Sequence, residues 1–200
     1  MRHVSIPIRF GALALAGSLL AWPALGIAQT PSGQAAAAQA TVFNALGATT
    51  LGLARTGTLG GPADARDASQ LTGNLLGGLT AEVPQASTIG YPDQVDSAAS
   101  LANLALSIAG SEIGVDLVTS QASAVLGAAG TGTSSLTNLT LNGVPLAVSG
   151  APNQVIAIPG GQMVINEQQA SPGGIVVNAL HVVVSGIADV VIGSAAAAIQ

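Results

Sequence analysis

Leu139-Thr140-Leu141-Asn142-Gly143-Val144-Pro145-Leu146-Ala147-Val148 is the stretch whose reading decides the fold. Asn-Gly supplies the two residues that most readily adopt positive φ, which a two-residue type I′ turn needs at both central positions. With an apolar run on each side, the segment reads as a β-hairpin. The same pattern continues outward to Ile199. Val155-Ile156-Ala157-Ile158 and Met163-Val164-Ile165 are separated by Pro159-Gly160-Gly161, and Ser171-Pro172-Gly173-Gly174 precedes a run from Ile175 to Val184. Proline presets the first turn position and glycine takes the positive φ of the next, so both segments are tight reversals. Gly186 then breaks the run before Asp189-Val190-Val191-Ile192.

Upstream the pattern is weaker. Leu101 to Ile108 places Ala102, Leu104, Leu106 and Ile108 on one face and Asn103, Ala105 and Ser107 on the other, the alternation of a half-buried strand. A helix from Ala98 to Ala109 is the rival reading, which period two disfavours. Thr41 to Leu53 suits short strands, because Gly47 and Gly52 would weaken a helix. Gly57 to Gln70, with Gly60-Gly61-Pro62 and Asp64, Arg66 and Asp67, reads as a solvated loop with a local Arg–Asp pair. Calcium is the alternative there and at Asp93 and Asp96. A quasi-repeat joins Gly78 to Val83, Gly114 to Val118 and Gly186 to Val191, each a glycine-containing reversal followed by an acid. The acids Glu82, Asp116 and Asp189 are 34 and 73 residues apart, whereas a solenoid would keep its period. Valines on both faces of Val182–Val184 and Val190–Ile192 mark central strands. The fold class is all-β, an antiparallel sandwich or twisted meander built from repeated hairpins.

The N-terminus has a different character. Arg2, His3 and Arg9 precede an uncharged apolar run from Gly11 to Ala21, then Trp22-Pro23 and the small residues around Ala28. That is a signal peptide over 1–28, the run being short of the roughly 20 residues of a spanning helix. Residues 29–40, rich in Ala, Gln, Ser and Gly, read as a flexible lead-in to a single β-rich domain over 41–200. A helix over 34–45, or a strand that pairs only in an assembly, are the alternatives. After cleavage two arginines stand against nine carboxylates, a formal charge of −7, with no lysine and no cysteine. A nucleic-acid interface lacks its basic stripe, and Schiff-base, P-loop lysine and thiolate chemistry are excluded. Charged residues make up 6% of the chain, against about 25–35% on the surface of a soluble domain. Either Ser, Thr, Asn and Gln keep the surface wet, or part of it is covered by other copies or by a cell-envelope layer. A membrane span in the mature chain is not expected: Asn178, His181 and Asp189 interrupt the C-terminal apolar run, and Phe43 and Tyr91 are too few aromatics for barrel girdles.

From Asn142-Gly143-Val144-Pro145 through Ala151-Pro152-Asn153-Gln154 and Val164-Ile165-Asn166-Glu167-Gln168 to Val177-Asn178-Ala179-Leu180-His181-Val182, the chain resembles the choice-of-anchor P family of bacterial surface proteins. The resemblance implies export and a surface role, and carries over no catalytic residues. The chain departs from many members in showing no sorting motif, basic tail or spanning helix before Gln200, which speaks against covalent or membrane anchoring.

Polar residues set among valines are the remaining candidates. A turn centred on Pro172-Gly173 puts Glu167 opposite Asn178, with Cβ atoms within about 6 Å, as a cross-strand pair holding register. His181, in the same strand as Asn178, could serve as a base, yet no Gly-x-Ser-x-Gly elbow accompanies it. No cofactor or catalysis is expected. The expected role is a secreted or surface structural protein that associates with itself, or with surface and matrix components, through sheet edges or apolar faces. An adhesive or glycan-binding module, with ligand held by Gly57–Gln70 and Ile89–Ser97, is the alternative.

Overall fold

The computed structural model of the chain describes residues 30–45, 47–75 and 77–200. The expected signal peptide lies outside them. Two antiparallel sheets face each other as a sandwich. The six-stranded sheet runs, edge to edge, β11 (Gln154–Ile158), β12 (Gly161–Ser171), β13 (Gly174–Val184), β14 (Ala188–Ile199), β1 (Pro31–Asn44) and β2 (Gly47–Arg55). The eight-stranded sheet runs β10 (Val144–Pro145), β9 (Thr140–Leu141), β7 (Ser111–Val125), β6 (Gln94–Ile108), β5 (Leu79–Gly90) and β3 (Ala65–Ser69). β4 (Thr72–Leu75) also pairs with β5, and β8 (Thr131–Thr137) with β7.

The turns fall where their chemistry puts them. Asn142 and Gly143 have φ of 52° and 76°, the two positive values of a type I′ turn, between Leu141 and its partner Val144. Pro159-Gly160 and Pro172-Gly173 are two-residue loops closed by Ile158 facing Gly161 and Ser171 facing Gly174, so Gly161 and Gly174 begin strands. The valine-rich β13 and β14 lie inside their sheet, between β12 and β1.

Several expectations are corrected. Where a flexible lead-in over 29–40 is expected, Pro31–Asn44 is one strand, hydrogen-bonded to β14 on one side and β2 on the other. Backbone pairing along both edges offsets the ordering entropy that small side chains cannot. The domain therefore begins before residue 41. Gly57–Gln70 is not all loop, since Ala65–Ser69 pairs with β5. Ile89–Ser97 is a tight hairpin whose strands end at Gly90 and resume at Gln94. Gly114 sits inside β7, and the reversal before that strand is Ala109-Gly110.

The long strands share one irregularity. In β6 the buried positions run Val95, Ser97, Ala99, Leu101 and then Leu104, Leu106, Ile108, a three-residue step at Asn103. β7 steps from Val115 to Val118 directly across the ladder, β14 from Ile192 to Ala195 and β13 from Val177 to Leu180. Gaps in the ladders place Ala54, Ala37, Gly193, Ala179 and Asn166 in one row across the six-stranded sheet. A bulge in one strand alone would slip its register; a bulge in every strand at one level keeps it and bends the sheet along a line. Positive φ marks this crease at Ala54, Gly193 and Asn166 in one sheet, and at Val83, Asn103 and Asn138 in the other. Val83 and Asn103 lie on neighbouring strands, and there the register does shift, around Glu82.

The crease divides the core. On one side Leu104, Leu106, Ile113, Met163, Leu180 and Ile192 interdigitate. On the other side four alanines, Ala122, Ala124, Ala195 and Ala197, pack with Val95, Val177, Ile175, Ile199 and Leu59. Small residues let the sheets approach. Ser97 Oγ donates to the backbone carbonyl of Ala196 in the opposite sheet at 2.7 Å, a reach impossible at the about 10 Å of ordinary face-to-face packing. Gly132 is required at this end, because a Cβ there would run into Val177 Cγ2.

Candidate functional site

Glu167, Asn178 and His181 do come together, on the outward face of the six-stranded sheet. Glu167 pairs with Asn178 in register, and Asn178 Nδ2 donates to Glu167 Oε2 at 2.6 Å. His181 sits diagonally from Glu167, with Nδ1 at 2.9 Å from Oε2. Its Nε2 lies 2.9 Å from Asp189 Oδ1 on the next strand. The sequence reading missed Asp189 as a partner. The signal was present, because a hairpin turning at Gly186 sets His181 beside Val191, with Asp189 on the diagonal.

The arrangement is a clasp over three strands. Each ring nitrogen of His181 faces a carboxylate oxygen, Nδ1 that of Glu167 and Nε2 that of Asp189. With both nitrogens engaged, neither is left to act as a base on a hydroxyl. The acids sit at opposite ends of the ring, so no point lies within ligand distance of all three groups. Among the described residues no His/Cys/Asp/Glu group is arranged to hold a metal ion. Asn178 Oδ1 is buried without a hydrogen-bond partner. The turn residues Asn142, Gly143, Pro159, Gly160, Gly161, Pro172, Gly173 and Gly174 shape hairpins.

Asp64 and Arg66 form the local pair at 3.0 Å, and Asp64 Oδ2 also accepts the Gly60 N–H at 2.7 Å. That hydrogen bond, and then the Arg66 guanidinium, hold the Asp64 carboxyl below the usual aspartate range. At the crease two further carboxylates each take an amide: Asn103 Nδ2 donates to Glu82 Oε2 and Asn138 Nδ2 to Asp116 Oδ2, both at 2.7 Å and exposed. Glu82 and Asp116, two of the three quasi-repeat acids, are thus structural equivalents, while Asp189 belongs to the clasp.

Sheet edges differ sharply. In the eight-stranded sheet, β10 carries Pro145, β3 carries Arg66 and Asp67, and β8 is capped by Gln168, whose Nε2 donates to the Gly132 carbonyl at 3.2 Å, while the short β4 carries neither proline nor charge. Proline, charge and side-chain capping are the devices that stop a strand from templating another chain. The six-stranded sheet has fewer of them: β2 is uncharged from Gly47 to Ala54 and exposed from Gly47 through Leu51, its one charge being Arg55 at the end of the strand, whose side chain lies over Gly52, and β11 is uncharged with Val155 58% exposed. The outward face of the eight-stranded sheet also holds two contiguous depressions of about 410 and 530 Å³, sharing Ser87, Ala98 and Gln121.

No protein-family model, curated protein or solved structure matches the chain. Among the described residues no helix is long and apolar enough to cross a membrane.

Proposed function

We propose that the chain is an exported structural protein of the bacterial surface or extracellular matrix, without catalysis, that associates with further copies of itself through sheet edges. The observation that carries this reading is the state of the outer strands of the six-stranded sheet: β2 is uncharged over Gly47–Ala54, β11 is uncharged throughout, and neither holds a proline. An unguarded, uncharged edge is a template for strand addition. The resemblance to choice-of-anchor P proteins and the signal-like N-terminus support the export. Light scattering of the purified chain over a concentration series, with electron microscopy of the same samples, tests it. Growth of assemblies with concentration is expected; a chain that stays monomeric and forms no fibres would sink the reading.

A second reading, a glycan-binding module, is favoured by the depressions on the eight-stranded sheet. They are lined by Ser87, Gln121, Ser123, Thr131 and Thr133 with Asp96, a dense set of hydroxyl and amide groups suited to sugar hydroxyls. The loops first expected to hold such a ligand are largely strand and tight turn. A glycan array on which nothing is retained ends this alternative.

A further inference from the structure

Which edge pairs with which follows from the backbone. β1 and β2 form a hairpin with Asn44 facing Gly47, so bonded pairs alternate from there: Val42 with Thr49, Ala40 with Leu51 and Ala38 with Leu53. The next ladder confirms the phase, since the Phe43 N–H donates away from β2, to the Ile187 carbonyl at 3.0 Å. The N–H and C=O groups of Ala48, Thr50 and Gly52 therefore point outward, to where no strand among the described residues pairs. These three residues are evenly spaced about Thr50. Charge selects the same place. No Asp or Glu occurs between Pro31 and Arg55, whereas all nine acids of the chain lie from Asp64 onward. A second copy of an acidic protein meets the least repulsion here. The other open strand offers less: β11 is five residues long and by the same alternation turns out only Val155 and Ala157.

We propose that two copies pair β2 to β2, antiparallel, about a two-fold axis at Thr50, with Ala48 of each facing Gly52 of the other. This rests on the self-association reading and specifies its interface. The three facing pairs exchange six backbone hydrogen bonds, two six-stranded sheets become one of twelve, and the pairing closes on itself. Leu51, 40% exposed, comes opposite Thr49 of the second copy and is covered. Each dimer keeps its β11 edges free, so larger assemblies grow from dimers.

The test uses the absence of native cysteine. In the proposed pairing the two Thr50 Cα atoms stand about 5.5 Å apart, inside the range a disulfide spans. Thr50→Cys in the full chain is expected to give a covalent dimer as the main product of mild oxidation, while the exposed Thr137→Cys on the other sheet gives only a collisional background. Thr50→Pro removes an outward N–H that the fold does not use, a substitution edge strands tolerate, and is expected to weaken association at least tenfold with an unchanged circular dichroism spectrum. If that variant does not fold, Thr50→Lys, which sets two like charges on the axis, is expected to weaken association in the same way. Assemblies that persist in Thr50→Pro or Thr50→Lys, with Thr50→Cys crosslinking no better than the control, would overturn this pairing and leave self-association through β11 standing. A chain that is monomeric throughout overturns both.

Discussion

The two ends of the sandwich, on either side of the crease, solve one packing problem in opposite ways. At the end holding Leu104, Leu106, Met163, Leu180 and Ile192 the gap between sheets is filled by large side chains. At the end holding Ala122, Ala124, Ala195 and Ala197 the sheets close until a serine reaches across. A flat sheet cannot serve two spacings. The crease is where the change is made, and it needs positive φ at Ala54, Gly193 and Asn166 on alternate strands of one sheet and at Val83 and Asn103 on neighbouring strands of the other. The contrast teaches that low aromatic content and abundant alanine here reflect sheet spacing, not a weak core.

The largest effects should come from exchanging the two solutions. Leu180→Ala, at a fully buried position, removes side-chain volume where the sheets are held apart and is expected to cost about 4 kcal/mol. Ala195→Leu, also fully buried, adds volume where the sheets are in contact and should cost about 3 kcal/mol. Denaturant midpoints measure both. If Ala195→Leu were neutral, the close approach at the alanine end would not be a packing requirement.

The hairpins were legible because their turns have few chemical solutions: Asn142-Gly143 and Pro172-Gly173 fix loop length, and loop length fixes Glu167 opposite Asn178. The crease was written more faintly. Leu101 and Leu104 stand three apart in an otherwise alternating strand with Asn103, a residue type that accepts positive φ, between them, but Val83 and Ala54 do not announce it. β1 was hidden for a related reason. Alanine has little strand propensity of its own, and its value in Pro31–Asn44 is small size against a facing sheet that no local pattern reveals. Arg66 and Asp67 concealed β3 because charge, which there guards an edge, reads as loop.

An intermediate effect is expected from the clasp, which straddles the crease. Glu167 and Asn178 lie on the alanine side and His181 and Asp189 on the leucine side, so the imidazole ties one end to the other. His181→Ala leaves Glu167, whose side chain is only 16% exposed, without its ring partner, and should lose about 2 kcal/mol. Glu82→Ala removes the corresponding exposed carboxylate of the eight-stranded sheet, and should lose only about 0.5 kcal/mol. Equal losses from the two would show that the clasp is not a fastening.

The smallest effect concerns how the alanine end is closed. Its one large plug from a loop is Leu59, buried against Gly33, whose carbonyl accepts the Leu59 N–H at 3.0 Å. The next residue, Gly60, is held by Asp64, so the carboxylate anchors the plug. Because the folded pKa of Asp64 is lowered from its ordinary 3.8, the anchor is fully present above that value and is lost as pH falls through the lower, folded one. Amide spectra recorded down that range should show Gly60 and Leu59 shifting together below the ordinary aspartate window, while amides around Leu104 and Ile192 stay put. Asp64→Asn should abolish the transition. A Gly60 shift centred on the ordinary aspartate value, or a Leu59 amide indifferent to it, would detach the loop from the closure of this end and leave the strand residues, Ile175, Val177 and the alanines among them, to hold the sheets together.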